Sequence, residues 1–355
     1  MKLFSCDKCG SAVYFENVLC ESCNSELGYI PEANEIKAVG NDTHRWQPLA
    51  DAKSHYRRCG NFDAIGCNWL VPETDANALC TACQCNRTIP DMAQPDALAG
   101  WQKVELAKRR MIYGLLRFAL PFRATATDNF PSLTFDFLSD DVFNPDAPPV
   151  ITGHDNGVIT LNIKEANPGE RERIRMEMGE AYRTLLGHFR HEVGHYYWQV
   201  LISRSAVLDE FRQMFGDERA DYQESLSTHY ANQNDGSWQE NFVSFYASAH
   251  PWEDFAETWA HYMHMVDTLE TAAAHSLTLR SGAGGKHVHM SGDYYRESDF
   301  NSLVEEWLPV TISMNNLNRS MGHHDLYPFV LTAPVIEKLR FVHNLVRRHR
   351  NGTLS

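Results

Sequence analysis

All nine cysteines of this 355-residue chain fall between Cys6 and Cys85, and none follows. Cys6 and Cys9 form one CxxC pair, Cys20 and Cys23 another, with ten residues between them. A CxxC turn sets two thiolates on one side of a tight loop, and two such turns can close a tetrahedron around one zinc ion. Ala12–Phe15 and Val18–Leu19 are expected to supply a small strand pair between these knuckles. Cys59, Cys67, Cys80 and Cys83 form a second four-cysteine set, in which only Cys80 and Cys83 are a CxxC pair. His55 and Cys85 compete for places in it, and Trp69 in the stretch Cys67–Pro72 would set an aromatic ring against the metal. The opening Met1–Cys6 reaches a cysteine before any apolar run, so no secretory leader is expected. In a reducing cytoplasm such thiols hold metal rather than form disulfides. Two structural zinc ions would then stand in for a core that this region is too small to build.

The formal charge of −14 argues against a nucleic-acid footprint, which requires a basic surface. Residues 1–100 alone carry 8 Lys and Arg against 13 Asp and Glu, so any partner of the cysteine-rich region is expected to be protein rather than DNA. No apolar run approaches the roughly 18 to 20 residues of a membrane span. Pro90–Asp96 is rich in helix and strand breakers and divides the chain into a zinc-ribbon region, 1–95, and a second domain, 96–355.

The second domain opens with a helical pattern over Trp101–Leu120. Gly157–Ile163 alternates as a half-buried strand, and an exposed edge there could pair with an extended peptide. Asn167-Pro168-Gly169-Glu170 starts a helix that no proline interrupts up to Ile202. Tyr182, Leu185, Phe189, Val193 and Tyr197 mark its buried face, and His188, His191 and His195 lie on another stripe. Within it, His191-Glu192-Val193-Gly194-His195 is an HExxH pentapeptide. Residues i and i+4 share a helix face, so both imidazoles can bind one cation while Glu192 reaches an activated water.

A catalytic zinc requires a third protein ligand. Residues 196–216 hold no histidine, so the extended HExxHxxGxxH form is absent. The acids of Pro251–His261 are the better source, because Glu253 and Glu257 lie four apart on a helix start. One carboxylate could bind zinc while the other holds a ligand histidine through its second nitrogen. Asp254 faces elsewhere, and His261 or His264 would instead give a three-histidine site. Gly282–Gly285, followed by His287 and His289, reads as a flexible connection, and Val335–Val346 as packing against the catalytic body.

Together, the Cys6–Cys23 knuckles, Cys67–Pro72, His191–Trp198, Glu253–Trp259 and Asn318–Gly322 resemble bacterial zinc-binding metallopeptidases that carry an N-terminal zinc-ribbon domain. More broadly the chain is similar to gluzincins of the lethal-factor type. That resemblance implies Glu253 as the zinc ligand, Glu257 as the acid behind a ligand histidine, and Tyr246, seven residues before the ligand, as an oxyanion donor. His250 is a lesser candidate for the last role. The implied activity is hydrolysis of a peptide or protein substrate by a zinc-activated water, with Glu192 as general base. A non-catalytic zinc-binding adaptor that docks proteins through its ribbons is the competing expectation. The fold class expected is α+β, a zincin-like domain preceded by small zinc-ribbon modules.

Overall fold

The computed structural model describes residues 2–42, 45–48, 55–141, 144, 146–177, 180, 182–231, 236–280 and 287–354. Small sheets mix with long helices, as the α+β expectation holds, and the chain resolves into two compact units. The first gathers Met1–Leu116, Thr134–Thr152 and Thr160–Ala166; the second gathers Arg117–Leu133, Gly153–Ile159 and Asn167–Ser355.

In the first unit, β1 (Phe4–Ser5) pairs with β2 (Ala12–Val13) across the first CxxC turn. The strand pair expected between the knuckles is therefore not formed: Ala12–Val13 turns back to Phe4–Ser5, and Leu19 bridges forward to Glu26. Each knuckle is stitched by its own flanks, because a CxxC turn reverses the chain within a few residues. A five-stranded antiparallel meander follows, comprising β3 (Glu26–Ile30), β4 (Glu35–Asp42), β5 (Arg45–Pro48), β6 (Tyr56–Arg58) and β7 (Leu70–Pro72). A Cβ at Gly28 would meet the buried Leu70 side chain at 2.5 Å, so any larger residue here would have to displace it. Phe15, Tyr29, Trp69 and Tyr113 form an edge-on aromatic cluster with neighbouring centroids 4.8–6.4 Å apart. Tyr113 comes from α1 (Ala97–Phe118), the expected first helix, whose Val104, Met111 and Leu115 are fully buried. β8 (Asn86–Thr88) pairs in parallel with β9 (Thr134–Leu138).

In the second unit, β10 (Gly153–Asp155) and the start of β11 (Val158–Asn162) form a hairpin turned by Asn156 and Gly157, both at positive φ as a tight two-residue turn requires. The strand read from the sequence as an edge is the inner one; β10 ends the strand order and is the outer strand. The single helix expected from Pro168 to Ile202 is two: α2 (Pro168–Glu177), with no buried residue, and α3 (Leu185–Leu201). Thr184 caps α3 by accepting from the Gly187 amide at 2.9 Å, a local bond that restarts the helix without proline. After α4 (Leu208–Phe215) and α5 (Tyr222–Ala231) comes α6 (Pro251–Ala274), which packs along α3 with Tyr197 stacked on Trp259 at 4.8 Å. α7 (Phe300–Ser320) and α8 (Ala333–Arg350) pack on α6, and α8 buries Val335, Leu339, Val342, Leu345 and Val346 as its periodicity predicts. Gly282–Gly285 lies outside the described residues; His287 and His289 sit on β13 (His287–His289), paired with β12 (Thr278–Arg280).

Asp254 on α6 is fully buried and meets the Lys338 ammonium of α8 at 2.7 Å, which also donates to the Asn241 carbonyl. Burial pushes the Asp254 carboxyl up to about 7 even beside Lys338, so without the ammonium it takes up a proton, and the cost falls below that of a stranded buried charge, about 3–5 kcal/mol. Lys338→Met should lower the thermal midpoint accordingly, and Asp254→Asn added to it should recover much of the loss.

Candidate metal centre and peptidase site

In the first unit the eight cysteines converge as two sets, Cys6, Cys9, Cys20, Cys23 and Cys59, Cys67, Cys80, Cys83. Sulfur atoms stand 3.8 Å apart for Cys6 and Cys23, 3.6 Å for Cys9 and Cys20, 3.6 Å for Cys67 and Cys80, and 3.8 Å for Cys67 and Cys83. A disulfide needs about 2.05 Å. Four sulfurs each about 2.3 Å from zinc would lie about 3.8 Å from one another, so the spacing fits a tetrahedral ion. All four thiols of the second set are buried; Cys59 pushes the Cys83 thiol up, but bonds from Cys67 and Cys80 outweigh it and bring it down, and the buried Lys108 ammonium, paired with Glu105 at 2.9 Å, adds to this. Cys85 and His55 belong to neither set; the Cys85 thiol faces the Thr81 carbonyl at 3.5 Å.

In the second unit, the HExxH turn of α3 faces the first turns of α6. Gly194 makes this possible: a Cβ there would lie 2.8 Å from the Ala256 Cα and 3.1 Å from its carbonyl oxygen. With the backbones that close, the Nε2 atoms of His191 and His195 come to 3.2 Å. The Glu253 Oε2 lies 3.0 Å from the first and 3.4 Å from the second. Three nitrogen and oxygen ligands about 2.0–2.1 Å from a tetrahedral zinc would stand about 3.3 Å apart. The Glu253 Oε2 is buried and has no hydrogen-bond partner, which a cation between the three donors would remedy. His191 Nδ1 meets the Glu257 carboxylate at 2.7 Å, and Ser244 donates to the other Glu257 oxygen at 2.6 Å. This sets the proton of His191 on Nδ1 and leaves Nε2 as a lone-pair donor. Burial alone would push the Glu257 carboxyl up, but the His191 ring beside it brings it down to about 2. Burial likewise opposes charge on His191, yet Glu253 and Glu257 on its two nitrogens drive it well above its usual range. The site demands positive charge, and the donor set suits zinc.

Residues 97–345 match the family described as "Putative zinc-binding metallo-peptidase", and residues 3–94 match a zinc-ribbon domain. The chain belongs to this metallopeptidase family. Uncharacterised proteins of Mycobacterium bovis and Mycobacterium tuberculosis are 42% identical to it over 347 residues, covering 98% of this chain and 95% of theirs. No solved structure matches it. The peptidase domain and the cysteine clusters of the ribbon are zinc-binding, and no described helix is long and apolar enough to cross a membrane.

The other histidines and acids weighed as ligands of this metallopeptidase have different partners. His261 Nδ1 meets the Tyr327 hydroxyl at 2.7 Å, and His264 Nδ1 accepts from Arg190 at 2.7 Å. His250 is the N-cap of α6: its Nδ1 accepts from the Trp252 amide at 3.1 Å and its Nε2 meets the Ala220 carbonyl at 3.2 Å. That cap orients the turn carrying Glu253. Tyr246 is half-buried, its ring 5.8 Å from that of His191 and its hydroxyl bonded to that of Tyr222.

Four contributors were not singled out from sequence. Tyr222 donates to the Glu253 Oε1 at 2.7 Å. Ser244 holds Glu257, and the Trp252 ring lies 4.4 Å from that of His195. His154, on the outer strand, lies 6.4 Å from the His195 ring; burial and His195 lower its pKa to about 4. Only Trp252, next to Glu253, carried any sequence signal. Gly194→Ala should force the two helices apart and carry Glu253 away from the imidazoles. Elemental analysis should then show a loss of about one zinc per chain with the cysteine-bound metal retained; full metal content would contradict this view of the helix contact.

Proposed function

We propose that residues 96–355 form a zinc-dependent peptidase that hydrolyses peptide bonds at an ion held by His191, His195 and Glu253. In the same reading, residues 1–95 are built around two structural zinc ions, held by Cys6, Cys9, Cys20, Cys23 and by Cys59, Cys67, Cys80, Cys83. When bound, the catalytic zinc supplies a Lewis acid that lowers the pKa of a water and polarises the scissile carbonyl.

The chain's own residues do the rest. Glu192 accepts a proton from the attacking water and returns it to the leaving amine. It is suited to that: burial pushes its carboxyl up, but His188, His191 and His195 outweigh this and keep it ionised, below its usual range. Tyr222 occupies the Glu253 Oε1 and so keeps Oε2 turned toward the imidazoles. Glu257, steadied by Ser244, fixes the tautomer of His191. Tyr246 donates to the developing oxyanion, a contribution of about 2.7–4 kcal/mol for donors of this kind.

The observation that carries the reading is the buried Glu253 oxygen, within 3.4 Å of two imidazole nitrogens and without a hydrogen bond, beside a helix that also presents Glu192. The substrate is a peptide or protein. The acidic ribbon region is a docking module for protein rather than nucleic acid, and thiol-held zinc suits a reducing cytoplasm.

Glu192→Gln should retain the zinc content of the wild type, three ions per chain, while cleavage of a peptide library falls by about 10²- to 10⁴-fold. Equal inactivity of both proteins would overturn the peptidase reading and leave a zinc-binding adaptor.

A further inference from the structure

The segment between α2 and α3 contributes a polar chain that ends on Glu192. The Glu180 carboxylate holds Arg183 through both oxygens, at 2.9 and 3.1 Å from Nη1. Arg183 Nη2 points at His188 Nδ1, 3.5 Å away, and His188 Nε2 lies 3.2 Å from the Glu192 Oε1. His188 and Glu192 are one helical turn apart on α3, and their side chains are 13% and 7% exposed, so bulk water competes weakly for these bonds. The polarity of the chain follows from chemistry alone. A guanidinium only donates, so His188 Nδ1 accepts and carries no proton. The neutral ring must then carry its proton on Nε2 and donate it to Glu192. Arg183 opposes a second charge on the ring while Glu180 and Glu192 favour one, so the facing guanidinium, which closes Nδ1 to a proton, decides the form.

We propose, resting on the peptidase reading above, that His188 is a positioning residue for the general base: a neutral imidazole, locked by Arg183 and Glu180, that donates to Glu192 Oε1. Holding one oxygen stops rotation of the carboxylate and presents Oε2 to the proton of the attacking water.

Two measurements test it on the full-length, zinc-loaded protein. With ¹⁵N-labelled histidine, and His188 assigned by signals absent from His188→Ala, the wild type should show a neutral ring protonated on Nε2 at neutral pH. Arg183→Met should release that preference. A ring protonated on Nδ1, or on both nitrogens, overturns the proposal whether or not any peptide is cut. In kinetics, His188→Ala should lower kcat about 10- to 100-fold, the cost of a misplaced catalytic group, with KM, zinc content and thermal midpoint unchanged. His188→Gln, whose amide can still donate, should restore most of the loss. If Glu192→Gln is inactive while His188→Ala keeps its full kcat, positioning by His188 is wrong and the peptidase reading survives. If wild type and Glu192→Gln are equally inactive, the peptidase reading fails instead, and the tautomer still decides the hydrogen-bond chain.

Discussion

Desolvated negative charge governs the second unit. Glu192 and Glu253 are buried and Glu257 half-buried beside His191 and His195, close enough that each charge is felt by the rest. Hydrogen bonds answer part of that demand: Tyr222 serves one oxygen of Glu253, and Ser244 and His191 serve Glu257. The remaining Glu253 oxygen has no hydrogen bond, and the Nε2 atoms of His191 and His195 face it at 3.0 and 3.4 Å. A divalent cation would satisfy all three at once, and binding it would then add folding free energy to this part of the chain. The neighbouring helices serve this arrangement. Gly194 lets α3 and α6 meet backbone to backbone, and the His250 cap sets the first turn of α6.

The first unit meets a different constraint with the same element. Its strands are short and its aromatic cluster is compact, so apolar burial alone leaves the cysteine turns unsupported. Sulfur atoms at tetrahedral spacing would supply cross-links without disulfides, with zinc between them. Asn68 strengthens the tie by donating to the carbonyls of Phe15 and Asn17, joining the two cysteine regions through main-chain groups. Lys108, buried with Glu105, balances the negative charge that the second cysteine set gathers.

What could be read from the residues was whatever depends on short spacing. CxxC turns, the i and i+4 histidines of α3 and the i and i+4 acids of α6 are local patterns, and helix geometry converts them directly into shared faces. The same locality explains the errors. Ala12–Val13 and Leu19 did carry extended character, but their partners were settled by chain reversal at each knuckle. The helix after Pro168 had no proline to mark its end; Gly179 was the stop signal in the sequence, and Thr184 caps the helix that follows. Glu253 followed from elimination and resemblance; His261 and His264, the competing histidines, have Tyr327 and Arg190 as hydrogen-bond partners.

The sequence by itself determined the donor sets: which thiols, imidazoles and carboxylates share a turn or a helix face, because those relations span fewer than five residues. Tertiary structure alone decided which sets meet. Tyr222 reaches Glu253, Ser244 reaches Glu257, and α6 reaches α3 across intervals that no periodicity encodes. The physical reason is that such contacts are selected by the burial of whole helix faces and by the close approach at Gly194, which belong to the packed chain rather than to any stretch of it.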